Sequence, residues 1–226
     1  MDWSTGEILD ALEKLGLDDN TLVIWTCDHG AVKWDPPQGS NAPMKGWAYD
    51  ASEAAMRPPF IARWPGHIEA GWVCDTVAST MDIFPTLAGL AGAPLPSHTI
   101  DAHDMWPLLQ RDPDARSAYD ETGFFYYAFG QLQAVRSGPW RLDLPLSQHA
   151  SWVDRFSGPQ EAALYNLEED ISQTTEVSAQ HPDVVERLLS LAEWARDELG
   201  DLDRQGTGQR PGGWVEDPVP LRLPAR

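Results

Sequence analysis

An aspartate and a histidine stand side by side at Asp28 and His29, directly after a short apolar run. That run, residues 22–25, is uncharged and rich in β-favouring side chains, which is typical of a fully buried strand in a parallel sheet. Ligands of open α/β sheets collect beyond the carboxyl ends of the strands. A carboxylate and an imidazole there could bind a metal ion, and Gly30 would let the backbone turn away. The same pattern also fits an aspartate that caps the next turn, followed by an unrelated histidine.

A helix and a second strand are the elements that should position this pair. Leucine and isoleucine recur at helical spacing from residue 8 to residue 15, with an N-cap candidate at Ser4 and an end at Gly16. Residues 58–64 predict a further strand, which Pro65 and Gly66 end. A βαβ unit needs a strand before its helix and none is present, so we expect the segment to belong to a larger α/β domain that has lost its front.

The segment between these strands, residues 31–52, shows no clear period and is rich in Pro, Gly and Asn. A loop of this length inside a compact domain usually has a function. After the second strand we expect a short strand at residues 73–77 and helices at residues 81–91 and 102–109. Residues 1–116 are accordingly predicted to form one α/β part.

The pattern changes near residue 117, where short β-type runs alternate with Gly or Pro and predict a small antiparallel sheet. The runs cover residues 124–129, 132–136, 140–144 and 163–167. An amphipathic helix at residues 181–199 should pack on this sheet. We therefore predict a small subdomain at residues 117–200, followed by an extended tail at residues 201–226.

Composition excludes several classes of partner. The chain carries 35 acidic and 16 basic residues, a formal net charge of −19, so nucleic acid and anionic membrane surfaces would be repelled. Apolar runs are far shorter than the roughly 20 residues that a membrane-spanning helix needs, so no membrane insertion is expected. The two cysteines, Cys27 and Cys74, make no disulfide framework and are predicted to be buried thiols.

Six sequence blocks occur in a fixed order between residue 1 and about residue 200. They are MDWSTGEILDALEKLGLDDNTLVIWTCDHG, MRPPFIARWPGHIEAG, STMDIFPTLAGLAGAPLP, IDAHDMWPLL, QAVRSGPWRL and ALYNLEEDISQTTEVSAQHP. Together they resemble the C-terminal portion of type I sulfatases, the arylsulfatase-like branch of the alkaline phosphatase superfamily. The resemblance implies a mixed α/β sheet with flanking helices, the small C-terminal sheet, and hydrolysis of sulfate esters. A phosphodiesterase or phosphonate hydrolase of the same superfamily is the related alternative, although ARWPG followed by DIFPTLAGLAG favours a sulfatase.

The resemblance also implies two cofactors. In the family, a cysteine or serine in a C/S-x-P/A-x-R motif becomes formylglycine, whose hydrated form attacks the sulfur of the ester. A calcium ion stabilises the charge that develops on the sulfate oxygens. Two adjacent early aspartates and a later Asp-Asn or Asp-His pair hold that ion, and Asp28 with His29 matches the later pair.

The sequence departs from the family where the nucleophile should be. Neither Cys27 nor Cys74 lies in the formylglycine motif, we expect no serine version to take its place, and the two early aspartates have no counterpart. We therefore expect a fragment whose Met1 matches an internal methionine of the family. It would hold half a calcium site and be inactive as an isolated chain. A catalytically silent descendant of the family is the alternative.

A second departure concerns the residues that should contact sulfate. Nine residues before Arg57, where the family usually has a lysine, this chain has Ala48. Lys45 could reach the same sulfate oxygens, or it could be a solvated surface lysine. Arg141 and Asp143 stand where the family commonly shows Lys and His, so any substrate contact there is altered.

The resemblance implies a sulfated small molecule or carbohydrate as substrate. Tryptophan rings could stack on a sugar, although strand positions such as Trp25 and Trp64 fit a core better. His98 and His103 could line the substrate cleft, although structural or exposed roles also fit them. For the full-length protein the resemblance favours a periplasmic or extracellular location.

Overall fold

The computed structural model describes residues 1–34, 39–151 and 155–219. Its α-helices are α1 (Asp2–Lys14), α2 (Glu53–Met56), α3 (Ile83–Leu90), α4 (Trp106–Leu109), α5 (Tyr119–Thr122) and α6 (Pro182–Glu198). Its strands are β1 (Val23–Thr26), β2 (Phe60–Arg63), β3 (Phe124–Ala128), β4 (Gln131–Ser137), β5 (Trp140–Asp143), β6 (His149–Ser151), β7 (Arg155–Ser157), β8 (Ala163–Asn166), β9 (Gly200–Asp201) and β10 (Arg204–Gln205). Short 3-10 helices lie at Asp18–Asn20, Thr80–Asp82 and Ser178–Gln180. None of these helices is long and apolar enough to cross a bilayer, within the part of the chain described.

The C-terminal half is built on a four-stranded antiparallel sheet in the order β3-β4-β5-β8. Every residue of β4 is buried, because α6 packs on one face of the sheet while Ala51 packs beside Tyr126 and Ala134. The fully buried side chains of the larger core are Leu132, Val135, Leu142, Leu144, Leu164, Leu188, Ala192 and Ala195. The predicted small antiparallel sheet with a terminal helix is thus confirmed.

The strand before the Asp-His pair differs from the prediction. β1 pairs antiparallel with β2, with Val23 opposite Arg63, and its residues are half-buried or exposed. The expectation of a fully buried parallel strand was therefore wrong for the described residues. An apolar run reports which side chains can be buried, whereas strand direction depends on the partner, which here is β2. Arg63 also forms an ion pair with Asp18 at 2.5 Å, which fixes the end of β2 against the turn that leads into β1.

Two further predictions were wrong. The segment at residues 73–77 is irregular rather than a strand, and Val73 is 70% exposed. Gly71, at φ +75°, precedes it, and no ladder of hydrogen bonds to a described strand holds it extended. Cys27 and Cys74 are both exposed rather than buried, because one lies in the loop after β1 and the other in this irregular segment.

A buried carboxylate ties the start of α3 to the segments that follow it. Asp82 is 2% exposed and accepts hydrogen bonds from the backbone N–H groups of Ser79 and His103, both at 2.8 Å. The Tyr119 hydroxyl donates to the same carboxylate at 2.7 Å, and burial together with Asp82 raises the pKa of Tyr119. These contacts cross the position where the sequence predicted a domain boundary, so the division at residues 116 and 200 stays a prediction.

Candidate active site

Asp28 and His29 lie in the loop that directly follows β1. Oδ1 of Asp28 accepts hydrogen bonds from the Cys27 thiol at 3.2 Å and from the backbone N–H of His29 at 3.0 Å. The thiol contact contributes most to lowering the pKa of Asp28 below its ordinary value, so the carboxylate is ionised at neutral pH. The side chain is 78% exposed, and its second oxygen, Oδ2, faces the His29 ring.

The imidazole of His29 is fixed in one tautomer by its neighbour. Nδ1 lies 2.7 Å from the carbonyl oxygen of Gly30, and since a carbonyl oxygen can only accept, Nδ1 carries the proton. In the neutral ring the lone pair therefore belongs to Nε2. This atom lies 3.4 Å from Oδ2 of Asp28. The two side chains thus present an oxygen and a nitrogen lone pair next to each other.

This pair fits one edge of a calcium coordination shell. Two ligand atoms at right angles around calcium, each about 2.4 Å from the ion, would lie about 3.4 Å apart, which matches the distance between Oδ2 and Nε2. Among residues 1–34, 39–151 and 155–219, however, no group of three or more His, Cys, Asp or Glu side chains could hold a metal ion. Asp28 and His29 are therefore compatible with a divalent cation but supply only part of its ligands.

The backbone after His29 is clamped against α2. The N–H of Gly30 donates to the carbonyl oxygen of Ala55 at 3.0 Å, and a Cβ atom at Gly30 would lie 1.8 Å from the carbonyl oxygen of Ala54. Only glycine permits so close an approach of two backbones. α2 is capped by Ser52, whose hydroxyl accepts from the N–H of Ala55 at 3.2 Å. The position of His29 thus depends on the position of this short helix.

A buried asparagine holds the rest of the loop in place. The side-chain oxygen of Asn41 accepts from the N–H of Ala31 at 2.6 Å, and its amide donates to the carbonyl oxygens of Ala31 and Gly46 at 3.0 and 3.2 Å. The N–H of Ala48 also donates to Ala31 at 3.0 Å. The segment that sequence patterning described only as an aperiodic loop is therefore ordered around the residue that follows Gly30.

Tyr49 stands beside the histidine in an unusual backbone conformation. Its φ is +72°, its side chain is 45% exposed, and its ring centroid lies 4.9 Å from that of His29 in an edge contact. Asp50 stabilises the turn by accepting from the N–H groups of Trp47 and Ser52 at 3.0 and 2.9 Å. A non-glycine residue at positive φ costs about 1–3 kcal/mol and is found preferentially at functional sites. The sequence offered no signal for it.

Lys45 and Ala48 lie in the same loop. Lys45 is exposed, and its ammonium nitrogen lies 5.5 Å from the centre of the Tyr165 ring on β8. Ala48 is 8% exposed, so its methyl group is buried where the resemblance led us to look for a lysine. The contact between Lys45 and sulfate stays a prediction.

Arg141 and Asp143, which were considered for an altered substrate contact, belong to a buried polar cluster. Arg141 donates to Asp143 at 3.0 Å, to Glu53 at 3.3 Å and to the carbonyl oxygen of Ala51 at 2.6 Å. Burial alone would lower the pKa of Arg141, but the charges of Asp143, Tyr126 and Glu53 raise it above its ordinary value. Arg141 therefore carries a structural charge that joins the C-terminal sheet to the loop of the candidate site. Glu53 itself was missed in the sequence.

The two candidate cleft histidines differ in their surroundings. His98 lines an open cleft of about 560 Å³ together with Asp101, Glu198 and Arg210. His103 packs its ring edge-on against Tyr119, with centroids 5.2 Å apart, while its backbone N–H binds Asp82. A structural role therefore fits His103.

One string does match the serine form of the nucleophile motif, contrary to the expectation that none would. It is Ser137-Gly138-Pro139-Trp140-Arg141, which forms the turn between β4 and β5. Ser137 is 3% exposed, and its hydroxyl donates to the carbonyl oxygen of Asp120 and accepts from Arg187 at 2.7 Å. Arg141 is engaged by Glu53. The string is thus explained by the hairpin and by the buried cluster.

Comparisons with known proteins agree on one family. The family model described as Sulfatase matches residues 1–93. The human steryl-sulfatase is 44% identical over 146 residues, which cover 62% of this chain and 24% of that protein. The N-acetylgalactosamine-6-O-sulfatase of Bacteroides thetaiotaomicron is 32% identical over 210 residues, which cover 85% of this chain and 40% of that protein. The chain thus spans less than half the length of these curated relatives.

The fold is also shared with solved structures. A sulfatase structure from a study of glycosaminoglycan metabolism by Bacteroides thetaiotaomicron superposes with a TM-score of 0.69 at 32% identity, covering 85% of this chain and 42% of the other. The mixed α/β arrangement of helices and antiparallel sheets described above is therefore found in these proteins as well.

Proposed function

We propose that this chain, which belongs to the sulfatase family, supplies the later half of a calcium site to an enzyme that hydrolyses sulfate monoesters. The observation that carries the proposal is the pair formed by Oδ2 of Asp28 and Nε2 of His29, 3.4 Å apart and partly exposed after β1. Because two ligands do not complete a calcium shell, the remaining ligands come from outside the described residues of this chain.

Each side chain of the site has a role that its contacts support. Asp28 binds with Oδ2, since the Cys27 thiol and the His29 N–H occupy Oδ1. The carbonyl oxygen of Gly30 keeps the proton on Nδ1 of His29, so that Nε2 can bind the cation. Calcium, when bound, supplies positive charge that stabilises the sulfate oxygens.

The substrate is proposed to be a sulfated carbohydrate or another sulfated small molecule. The similarity to the N-acetylgalactosamine-6-O-sulfatase over 210 residues supports the carbohydrate class. Lys45 is the proposed sulfate contact, because its exposed ammonium group lies in the loop that carries Tyr49 to the His29 ring. A periplasmic or extracellular location is proposed with it, since free calcium is abundant in those compartments.

A second candidate is a chain that binds cation and substrate without hydrolysing the ester. The observation in its favour is the burial of Ser137, the residue that begins the serine form of the nucleophile motif in this sequence. Formylglycine chemistry is therefore not assigned to any residue of this chain.

Calorimetric titration of calcium into the 226-residue chain tests the proposed site. With half a shell we expect a dissociation constant of about 1 mM or weaker, the range of weak extracellular sites. Replacing Asp28 by alanine should abolish the binding heat, because it removes the one carboxylate of the pair.

Asp75 provides the matched control, since it is the other exposed aspartate that follows a cysteine. Asp75→Ala should leave the titration unchanged. Micromolar calcium binding that survives Asp28→Ala would place the cation elsewhere and refute the proposed site.

A further inference from the structure

A fully buried carboxylate lies at the start of α2, beside the candidate site. Glu53 is 0% exposed. Its Oε1 accepts from the Tyr126 hydroxyl and from Nη1 of Arg141, the latter at 3.3 Å. Its Oε2 lies 3.2 Å from Nη1 of Arg136 and 3.6 Å from Nη1 of Arg57. A buried charge is tolerated only when it is paired and hydrogen-bonded in this way.

The cations that hold Glu53 are arranged by the C-terminal sheet. Arg136 on β4 and Arg141 on β5 are direct cross-strand partners, so the sheet register places both guanidinium groups side by side. Like charges opposite one another are normally unfavourable in a sheet. The Glu53 carboxylate between them removes that repulsion, and Asp143 neutralises the far side of Arg141 at 2.9 Å.

A short path of contacts leads from this cluster to the histidine. Glu53 begins α2, whose residues Ala54 and Ala55 clamp Gly30 through a close backbone approach and a 3.0 Å hydrogen bond. The carbonyl oxygen of Gly30 in turn accepts the proton of His29 Nδ1 at 2.7 Å. Arg141 reinforces the path by donating to the carbonyl oxygen of Ala51, just before α2.

We infer that Glu53 is a positioning residue: by joining α2 to Arg136 and Arg141 of the C-terminal sheet, it sets the tautomer and orientation of His29. The inference rests on the proposed function, because it gives the sheet control over one ligand of the proposed cation site. It acts through Gly30, and Glu53 itself touches neither cation nor substrate.

The alternative is that the cluster only adds to overall stability. The two roles differ in what a variant changes. If Glu53 only stabilises, its replacement changes all regions of the folded protein alike and leaves the His29 ring as it was. If it positions the site, the imidazole changes while the sheet does not.

Nitrogen NMR of the His29 ring in the 226-residue chain distinguishes these roles. In the wild-type protein at neutral pH, the ring signals should report a proton on Nδ1. In Glu53→Gln, which keeps the shape of the side chain but removes its charge, we expect them to move toward the tautomer mixture of an unconstrained histidine. Amide exchange of Gly30 should accelerate at least tenfold, whereas that of Val135 on β4 should not change.

Arg196→Met is the matched control. It removes an ion pair with Asp201, 3.0 Å long, in the same half of the chain but away from α2, and the His29 signals should stay as in the wild type. If Glu53→Gln does not fold, Tyr126→Phe carries the same test, because it removes a single hydroxyl donor to Glu53.

The inference is overturned if a folded Glu53→Gln or Tyr126→Phe protein keeps the wild-type His29 signals and Gly30 exchange. A uniform change of all amides would overturn it as well. Calcium titration separates this result from the proposed function. Loss of binding in Asp28→Ala together with an undisturbed His29 in Glu53→Gln rejects the positioning role alone, whereas binding that survives Asp28→Ala rejects the site.

Discussion

Replacing Gly30 by alanine should be among the most damaging small substitutions in the chain. The added Cβ would lie 1.8 Å from the carbonyl oxygen of Ala54 and 3.0 Å from the side-chain oxygen of Asn41. Distances below 3.0 Å are essentially never seen for real Cβ atoms, and the nearest atom belongs to the backbone rather than to a flexible side chain. Either α2 or the strand end must therefore move.

The size of the effect follows from the contacts that such a movement breaks. Two hydrogen bonds are at risk, from the N–H of Gly30 to Ala55 at 3.0 Å and from the N–H of Ala31 to Asn41 at 2.6 Å. Each contributes about 1 kcal/mol net, and overpacking adds about 1–3 kcal/mol. We therefore expect Gly30→Ala to lower the free energy of unfolding by about 2–5 kcal/mol.

Urea unfolding followed by circular dichroism and tryptophan fluorescence measures this change. Gly89→Ala is the control, because no atom lies within 4 Å of the Cβ position at Gly89 and that residue lies in α3. There the same substitution should raise stability by up to about 1 kcal/mol, since alanine is the better helix former. A Gly30→Ala protein within about 0.5 kcal/mol of the wild type, the range of ordinary surface changes, would refute the argument.

Two further predictions concern the C-terminal half. Leu188→Ala should cost about 2–5 kcal/mol in urea unfolding, because Leu188 is fully buried between α6 and the sheet; Leu189→Ala, at a position 37% exposed, should cost less than half as much, and equal costs would contradict the core assignment. The backbone N–H groups of Thr175 and Thr174 lower the pKa of Asp170 below 3.8, so its contribution to stability is present above pH 3.8 and is lost as pH falls through the lowered value. The difference in melting temperature between wild type and Asp170→Asn should accordingly shrink as the pH falls below 3.8, and a difference that grows on acidification would contradict it.

Local patterns in the sequence predicted the C-terminal half well. The alternation in residues 124–144 and the apolar stripe of α6 each report burial over a few neighbouring residues, and the structure confirms both. The same reasoning failed for β1, because an apolar run does not state the direction of its partner strand. It also failed for Cys27, whose exposure follows from the loop in which it lies.

The candidate site was predictable only in part. Asp28 and His29 were visible because they are adjacent and follow a strand pattern. The roles of Glu53 and Asn41 were not, since each depends on backbone or charged groups that the fold brings together: Arg136 lies 83 residues from Glu53 in sequence. The serine motif at Ser137 shows the reverse, a string that fits a chemical pattern but that the hairpin buries.

The separation between Glu53 and its partners sets the smallest piece of chain that can carry an ordered site. A peptide spanning residues 21–57 would contain Asp28, His29 and the whole loop, yet it would hold the Glu53 carboxylate without the guanidinium groups that lie 83 and 88 residues further on. Closing a segment of that length costs conformational entropy that no local contact offsets. The ordered loop is thus a property of a unit that extends at least through β5.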